Sequence, residues 1–349
     1  MLNVCLVGHG MMGVWHSEAL KRVPDCRLHT VVGRPRKPDA DPAAQPTAGR
    51  TPPSTGIFAE KYGYQKWTTD LDEALNDPEV DIVIVAGPSE THAEMTIAAL
   101  EHGKHTLVEI PIAMNLADAE RIVALAEEHG LTLGVSHPMR FREERLPVAE
   151  RVCRGEERVT HTHGRFFIHR LQNVGATGLQ RSWTDNILWH HTTHLVDFGL
   201  WIVSGGDMAT ADDRIRSIYS FYPPVDPRTG IPMELVLVVE TKDDQSIVCT
   251  GSYYSPERIY DMLVVTDRDS YLVDELASTI ITADGERQIP TEQANAELIA
   301  PDFVAAVKDK REPAVPGWSV LPAMRVLHHV QENWDAKYGK QILPGRPVL

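Results

Sequence analysis

The chain reads as a two-domain α/β protein, a parallel sheet with helices followed by an α+β domain with a large, mostly antiparallel open sheet. Three observations predict this. Its 349 residues are enough for about two domains. Over residues 1–136, short β-branched runs alternate with helical patterns, which is how a parallel sheet is written. Beyond residue 214 strand patterns follow one another directly, as in an antiparallel sheet with one face covered.

Residues 2–7 (Leu-Asn-Val-Cys-Leu-Val) form a buried strand pattern, and a helical pattern runs over 14–22. A second strand is expected at 27–32. Six prolines in the 22 residues from Pro35 to Gly56 make that stretch a loop, because proline removes backbone donors and little apolar surface is left to bury. Short helices are expected at 57–62 and 70–76, and a buried strand at 81–86. A helix over 93–102 stops at Gly103, a strand covers 105–109, and a helix over 115–129 ends before Gly130, the usual residue past a helix end. A strand at 132–136 closes the first domain, taken as 1–138. In the second, 139–349, helices are expected at 142–154 and 186–203. Strands are expected at 158–169, 215–222, 233–241, 246–254, 260–266 and 271–274. Helices at 303–307 and 319–338 end the chain, and the last could pack back on the first domain.

Composition narrows the function. A formal charge of −15 argues against nucleic acid or an anionic membrane as the main partner. Cys5, Cys26, Cys153 and Cys249 form no C-x-x-C pair, so they read as structural thiols of a reduced, cytoplasmic chain. No apolar run is long enough to cross a bilayer, and no secretory leader is recognisable.

Gly8-His9-Gly10-Met11-Met12-Gly13 carries the G-x-G-x-x-G spacing between a buried strand and a helix, the context in which it cradles a dinucleotide. The glycines allow a tight turn and close backbone approach, and the helix N-terminus favours the pyrophosphate. The second strand ends in Val32-Gly33-Arg34-Pro35-Arg36-Lys37, with no acid before Asp39. Arg34 suits a 2′-phosphate, so NADP is expected over NAD.

Arg181-Ser-Trp-Thr-Asp-Asn-Ile-Leu-Trp-His190-His191-Thr-Thr-His194-Leu-Val-Asp197 is the most unusual stretch. As a helix it puts His190, His194 and Asp197 at i, i+4 and i+7, on one face. Such a face could ligate a metal, because i, i+4 histidines suit zinc. It could also supply acid–base groups, since hydride removal from an alcohol carbon needs a base and imidazole titrates in the right range. The nucleotide motif favours the second, with no metal. A further pair, His161-x-His163, faces one way on a strand pattern. Residues 139–200 hold nine Arg, no Lys and seven acids. Arg140, Arg165, Arg170 and Arg181 are candidates for gripping carboxylates, whereas Arg142 and Arg145 read as solvated charges.

With these motifs the sequence resembles the glucose–fructose oxidoreductase/inositol dehydrogenase (Gfo/Idh/MocA) family over essentially its whole length. The resemblance implies an N-terminal Rossmann NAD(P)-binding domain, a C-terminal substrate domain whose open sheet meets another copy, and a homodimer or homotetramer. The family's Glu-Lys-Pro corresponds to Glu109-Ile110-Pro111, and its Asp-x-x-x-His to His190-x-x-x-His194. Both departures, with residues 108–111, 136–141 and 181–197, are similar to one branch. That branch works in protocatechuate 4,5-cleavage, oxidising the cyclic hemiacetal of 4-carboxy-2-hydroxymuconate-6-semialdehyde to 2-pyrone-4,6-dicarboxylate. The resemblance implies His194 as the base and His190 as the group orienting or relaying the proton. Arg140, Arg170 and Arg181 would hold carboxylates, Trp183 would pack near the nicotinamide, and Ser182, Asp185 and His191 would line the substrate. Cofactor contacts would include Gly8, His9, Gly10, Met11, Met12, Gly13, Gly33, Arg34, Gly87, Pro88, His92, Glu109 and Ile110. The remaining readings are a dehydrogenase of another cyclic hemiacetal, sugar or sugar acid, a non-catalytic NADP-binding sensor, and a zinc hydrolase on His190, His194 and Asp197.

Overall fold

The computed structural model describes residues 1–34, 54–141, 146–173, 185–288 and 296–339. Most of the proline-rich stretch lies outside them, as do Arg142, Arg145, Arg181, Ser182 and Trp183.

The elements run in chain order as follows. The first part holds β1 (Leu2–Val7), α1 (Met11–Leu20), β2 (Cys26–Val32), α2 (Thr55–Tyr62), β3 (Lys66–Thr68), α3 (Leu71–Leu75), β4 (Ile82–Val85), α4 (His92–Glu101), β5 (His105–Glu109), α5 (Leu116–Glu128) and β6 (Leu133–Ser136). After it come α6 (Leu146–Cys153), β7 (Val159–His169), a π-helical turn (Ile187–Thr192), α7 (Thr193–Val203), α8 (Ala211–Arg214), β8 (Ile215–Phe221), β9 (Glu234–Thr241), β10 (Ser246–Ser252), β11 (Tyr254–Thr266), β12 (Ser270–Asp274), β13 (Thr279–Thr282), β14 (Gly285–Gln288), α9 (Ala296–Asp309) and α10 (Leu321–Tyr338).

The first sheet has the order β3-β2-β1-β4-β5-β6, and all its pairs are parallel. The chain reverses its direction of winding between β1 and β4, and in such sheets the ligand crevice opens at the strands' carboxyl ends there. Ile82, Val83, Ile84 and Val85 of β4 are fully buried. Each such side chain contributes about 1.5–3 kcal/mol on burial, so the strand that carries the crevice is also among the best anchored. α9 lies in the same compact unit, packed on α1, with Phe303 where a Cβ on Gly134 would stand. α10, the closing helix, lies in the other unit with α7 and β8.

The second sheet has the order β14-β13-β12-β11-β7-β10-β9-β8, with a single parallel pair, β10 on β7. α7 packs on one face: Leu195 meets Gly164, and Ile247 stands where Gly199 would carry a Cβ. Alternation along β9 and β10 buries Leu235, Leu237, Val239, Ile247 and Cys249 on that face. The opposite face leaves Tyr219, Phe221 and Val236 exposed.

Three expectations need correction. β3, β13 and β14 are too short to show a pattern. The 246–254 and 260–266 strands are bounded differently, because β11 begins at Tyr254. The 186–203 helix opens with the π turn rather than α-helix, its first turn fixed by Asn186, whose side chain accepts from Leu188 N and Trp189 N.

Candidate active site

β1 delivers Gly8 at φ +98°, where a Cβ would collide with the carbonyl oxygen of Ala86. A Cβ on Gly13 would strike the carbonyl oxygen of Gly8. Gly10 differs: it is the N-cap of α1, and nothing stands within 4 Å of where its Cβ would be. No side chain caps α1 and its first turn holds no acid. The open cradle at Gly10 and the N–H groups of Met11, Met12 and Gly13 at the helix start therefore fit a pyrophosphate.

Where β2 ends, a Cβ on Gly33 would collide with Thr55 Oγ1 and crowd His9 Nε2. Those two atoms lie 3.2 Å apart, and the His9 ring packs on Phe58 with centroids 5.3 Å apart. Burial pushes the His9 imidazole below its ordinary value, so it stands neutral at pH 7. Arg34 follows as an exposed cation. His92 is buried at the start of α4, its Nδ1 2.8 Å from the Pro111 carbonyl and its Nε2 3.0 Å from that of Gly87. It thereby ties the Gly87-Pro88 loop to the turn after Ile110. Glu109 is committed inward: His16 Nε2 donates to its Oε1 at 2.6 Å, both groups being buried. His16 was not foreseen; a lone histidine in an apolar helix gives no chemical signal of its own.

The second unit holds the histidine turn. Asp185, just before it, lies between Arg170 NH1 at 3.5 Å and His190 Nδ1 at 3.3 Å. His191 stacks on Phe166, with centroids 3.7 Å apart, and its Nδ1 is 2.6 Å from the Tyr253 hydroxyl. Tyr253 is fully buried, and Arg170 NH1 donates to its hydroxyl at 3.3 Å while the guanidinium lies over its ring. Asn173 Oδ1 accepts from Arg170 NH2. One turn on, the His194 ring stands edge-on to that of His137, with centroids 5.6 Å apart. His137 Nδ1 lies 3.3 Å from Asp197 Oδ2. Sequence reasoning passed over His137, Asn173, Phe166 and Tyr253, which come from separate segments and share no spacing.

Three arginine assignments change. Arg140 was expected to grip a substrate carboxylate, but it is buried and spends its guanidinium on Asp197 (2.8 Å from Nε and 2.5 Å from NH2) and on Ser319. Arg165 is paired with Asp261 on β11. Arg170 is nearly enclosed and engaged by Asp185, Asn173 and Tyr253. Arg181, Ser182 and Trp183 lie outside the described residues.

The zinc set does not converge. Asp197 serves Arg140 and His137, and among the described residues only His29, Asp77 and Glu79 bring three ligand atoms within 4.8 Å of one another. There Lys66 already sits 2.6 Å from Asp77. No cysteine falls within the histidine turn: Cys5 and Cys249 are buried, Cys26 is half-buried and Cys153 exposed, and burial pushes all four thiols up, Cys5 to about 12. What remains chemically active around the π turn is imidazole backed by carboxylate.

Comparison with known proteins follows the same division. Residues 2–137 match the family model described as oxidoreductase family, NAD-binding Rossmann fold, and residues 145–272 match that of bacterial oxidoreductases, C-terminal. The chain is 29% identical to 4-carboxy-2-hydroxymuconate-6-semialdehyde dehydrogenase of a Sphingobium species, over 95% of this chain and 98% of that one. It is 30% identical to levoglucosan dehydrogenase of Pseudarthrobacter phenanthrenivorans, over 42% of this chain and 34% of that one. A solved levoglucosan dehydrogenase, in complex with NADH and L-sorbose, superposes with a TM-score of 0.79 at 16% identity, covering 96% of this chain and 97% of that one. No helix among the described residues is long and apolar enough to cross a membrane.

Proposed function

We propose that this chain, an NAD(P)-dependent dehydrogenase of the Gfo/Idh/MocA type acting at a hydroxyl-bearing carbon, catalyses the NADP-dependent oxidation of the cyclic hemiacetal of 4-carboxy-2-hydroxymuconate-6-semialdehyde to 2-pyrone-4,6-dicarboxylate. The observation that carries this reading is the pair of replacements at Ile110 and His190. They remove the family's lysine and aspartate and leave proton transfer to imidazoles. The near full-length likeness to the Sphingobium dehydrogenase supports it. A linear aldehyde is commonly oxidised through a cysteine thiohemiacetal, and residues 181–197 hold no cysteine to serve that route. A ring hemiacetal needs only a base and a hydride acceptor.

When bound, the nicotinamide dinucleotide supplies the hydride acceptor. Gly8, Gly10 and Gly13 would hold its pyrophosphate, and Arg34 beside Gly33 its 2′-phosphate. His190 and His194 form the acid–base pair on the substrate oxygen. Of the proposed carboxylate grips, Arg181 remains, and His191 would add an N–H donor.

The enclosure of Arg140 favours a second reading, a less anionic lactol, sugar or sugar acid, because one expected carboxylate seat is spent internally. The test is reduced-nicotinamide absorbance with purified protein and freshly ring-cleaved protocatechuate. A fast rise with NADP supports the first reading. A rise only with NAD removes the Arg34 argument, and turnover of aldoses alone supports the second. For the quaternary state, the exposed Tyr219 (60%) and Phe221 (57%) on the uncovered sheet face suit pairing with a second copy. Light scattering that shows a monomer at micromolar concentration would refute that.

A further inference from the structure

We propose that Nε2 of His190 takes the substrate's hydroxyl proton, and that Asp185 is the positioning residue that makes this nitrogen the basic one. The proposal rests on the dehydrogenase reading and divides the acid–base work of its two histidines in the order opposite to that expected from the family.

An ionised carboxylate only accepts hydrogen bonds, so the ring nitrogen that faces it carries the hydrogen. His190 turns Nδ1 to Asp185 Oδ1 at 3.3 Å, which assigns the hydrogen to Nδ1 and the lone pair to Nε2. The same carboxylate stabilises the imidazolium formed when the proton arrives, the arrangement of a hydrolase triad. Arg170 NH1 stands 3.5 Å from Asp185 Oδ1, a cation beside the carboxylate. Arg170 is in turn fixed by Asn173 and by the hydroxyl and ring of Tyr253. The outer part of the network is enclosed, whereas the His190 side chain keeps 30% of its surface exposed. The base therefore meets the substrate and its supports do not. His191, whose ring stands perpendicular to that of His190 at 4.3 Å, is held by Phe166 and Tyr253 and limits the tilt of the base.

His194 is differently placed. The carboxylate on its own helix, Asp197, is given to Arg140 and His137, and the His194 ring stands edge-on to that of His137. It serves to orient the substrate oxygen. In the step itself the O–H bond breaks and its proton goes to Nε2 of His190. The O–H electron pair forms the C=O bond as the C–H bond of the same carbon breaks, and a bound oxidised nicotinamide dinucleotide would accept the hydride. The proton then passes from Nε2 to solvent.

The test is the imidazole nitrogen NMR spectrum of the full-length protein, labelled with nitrogen-15 and without substrate, the His190 signals being identified by their loss in His190→Gln. The expected result is the Nδ1–H tautomer in the wild type and a shift toward Nε2–H in Asp185→Asn. An Nε2–H tautomer in the wild type overturns the proposal even if Asp185→Asn fails to fold. In turnover, Asp185→Asn should lower kcat about 10²-fold or more with KM nearly unchanged, and His190→Gln should cost more than His194→Gln. The reverse order overturns the role of His190. The NMR result needs no substrate, so a protein that fails to oxidise the hemiacetal refutes the proposed reaction and leaves the tautomer to be judged separately.

Discussion

Arg140 shows how a residue can be seen in the sequence and misread. Its place in Ser136-His-Pro-Met-Arg-Phe141 marked it as special, but a sequence does not say which carboxylate an arginine meets. Here it is Asp197, in a buried bidentate pair. Removing one member of such a pair leaves an uncompensated charge and costs about 3–5 kcal/mol. Arg140→Ala should lose that much in urea denaturation, and a stable Arg140→Ala protein with a raised KM would return Arg140 to the substrate. His190 was legible as chemistry because histidines are rare enough to be noticed. Its partner Asp185 was legible only as a neighbour, and Tyr253 not at all, because a buried tyrosine between two strands looks like core. His190→Gln should lower kcat by about 10²–10⁴; a loss under tenfold at the pH optimum would remove it from proton transfer.

The glycine motif was the most legible element, since strand, turn and helix each constrain the same six residues. Gly10 separates cofactor contact from folding. Its Cβ would meet no protein atom, so Gly10→Ala should keep its melting temperature while dinucleotide Kd rises about tenfold or more. Unchanged affinity would place the pyrophosphate elsewhere. The histidine helix was half legible. Its helical character followed from the pattern, but a π turn leaves the same apolar spacing as a regular one over so few residues. What sets it is the Asn186 side chain on Leu188 N and Trp189 N. Asn186→Ala should cost about 1 kcal/mol in stability and lower kcat through misaimed His190 and His191. Full activity in that variant would mean that the cap does not aim them.

Over the whole molecule, alternation of strand and helix identified the first sheet and successive strand patterns the second, while strands of three or four residues and the place of α9 were set by packing that leaves no local pattern. Burial also gives the fold a pH dependence. His9, His105 and His163 are all pushed below the ordinary histidine value of 6.5, by burial first. The unfolded chain takes up protons on these rings as pH falls through 6.5, and the folded chain does so only at lower pH. Stability therefore rises with pH across that window and is lost on acidification. His105 Nδ1 also accepts from Thr132 N, a bond that protonation breaks. The melting temperature should fall between about pH 7.5 and pH 5.5, and less steeply in His105→Gln; a rise on acidification would contradict this. The most direct measurement on the reaction is NMR of the product formed in the first turnovers from ring-cleaved protocatechuate and NADP. Oxidation of the ring hemiacetal gives 2-pyrone-4,6-dicarboxylate as the first product. An open-chain acid appearing first, with the pyrone later or not at all, would contradict it.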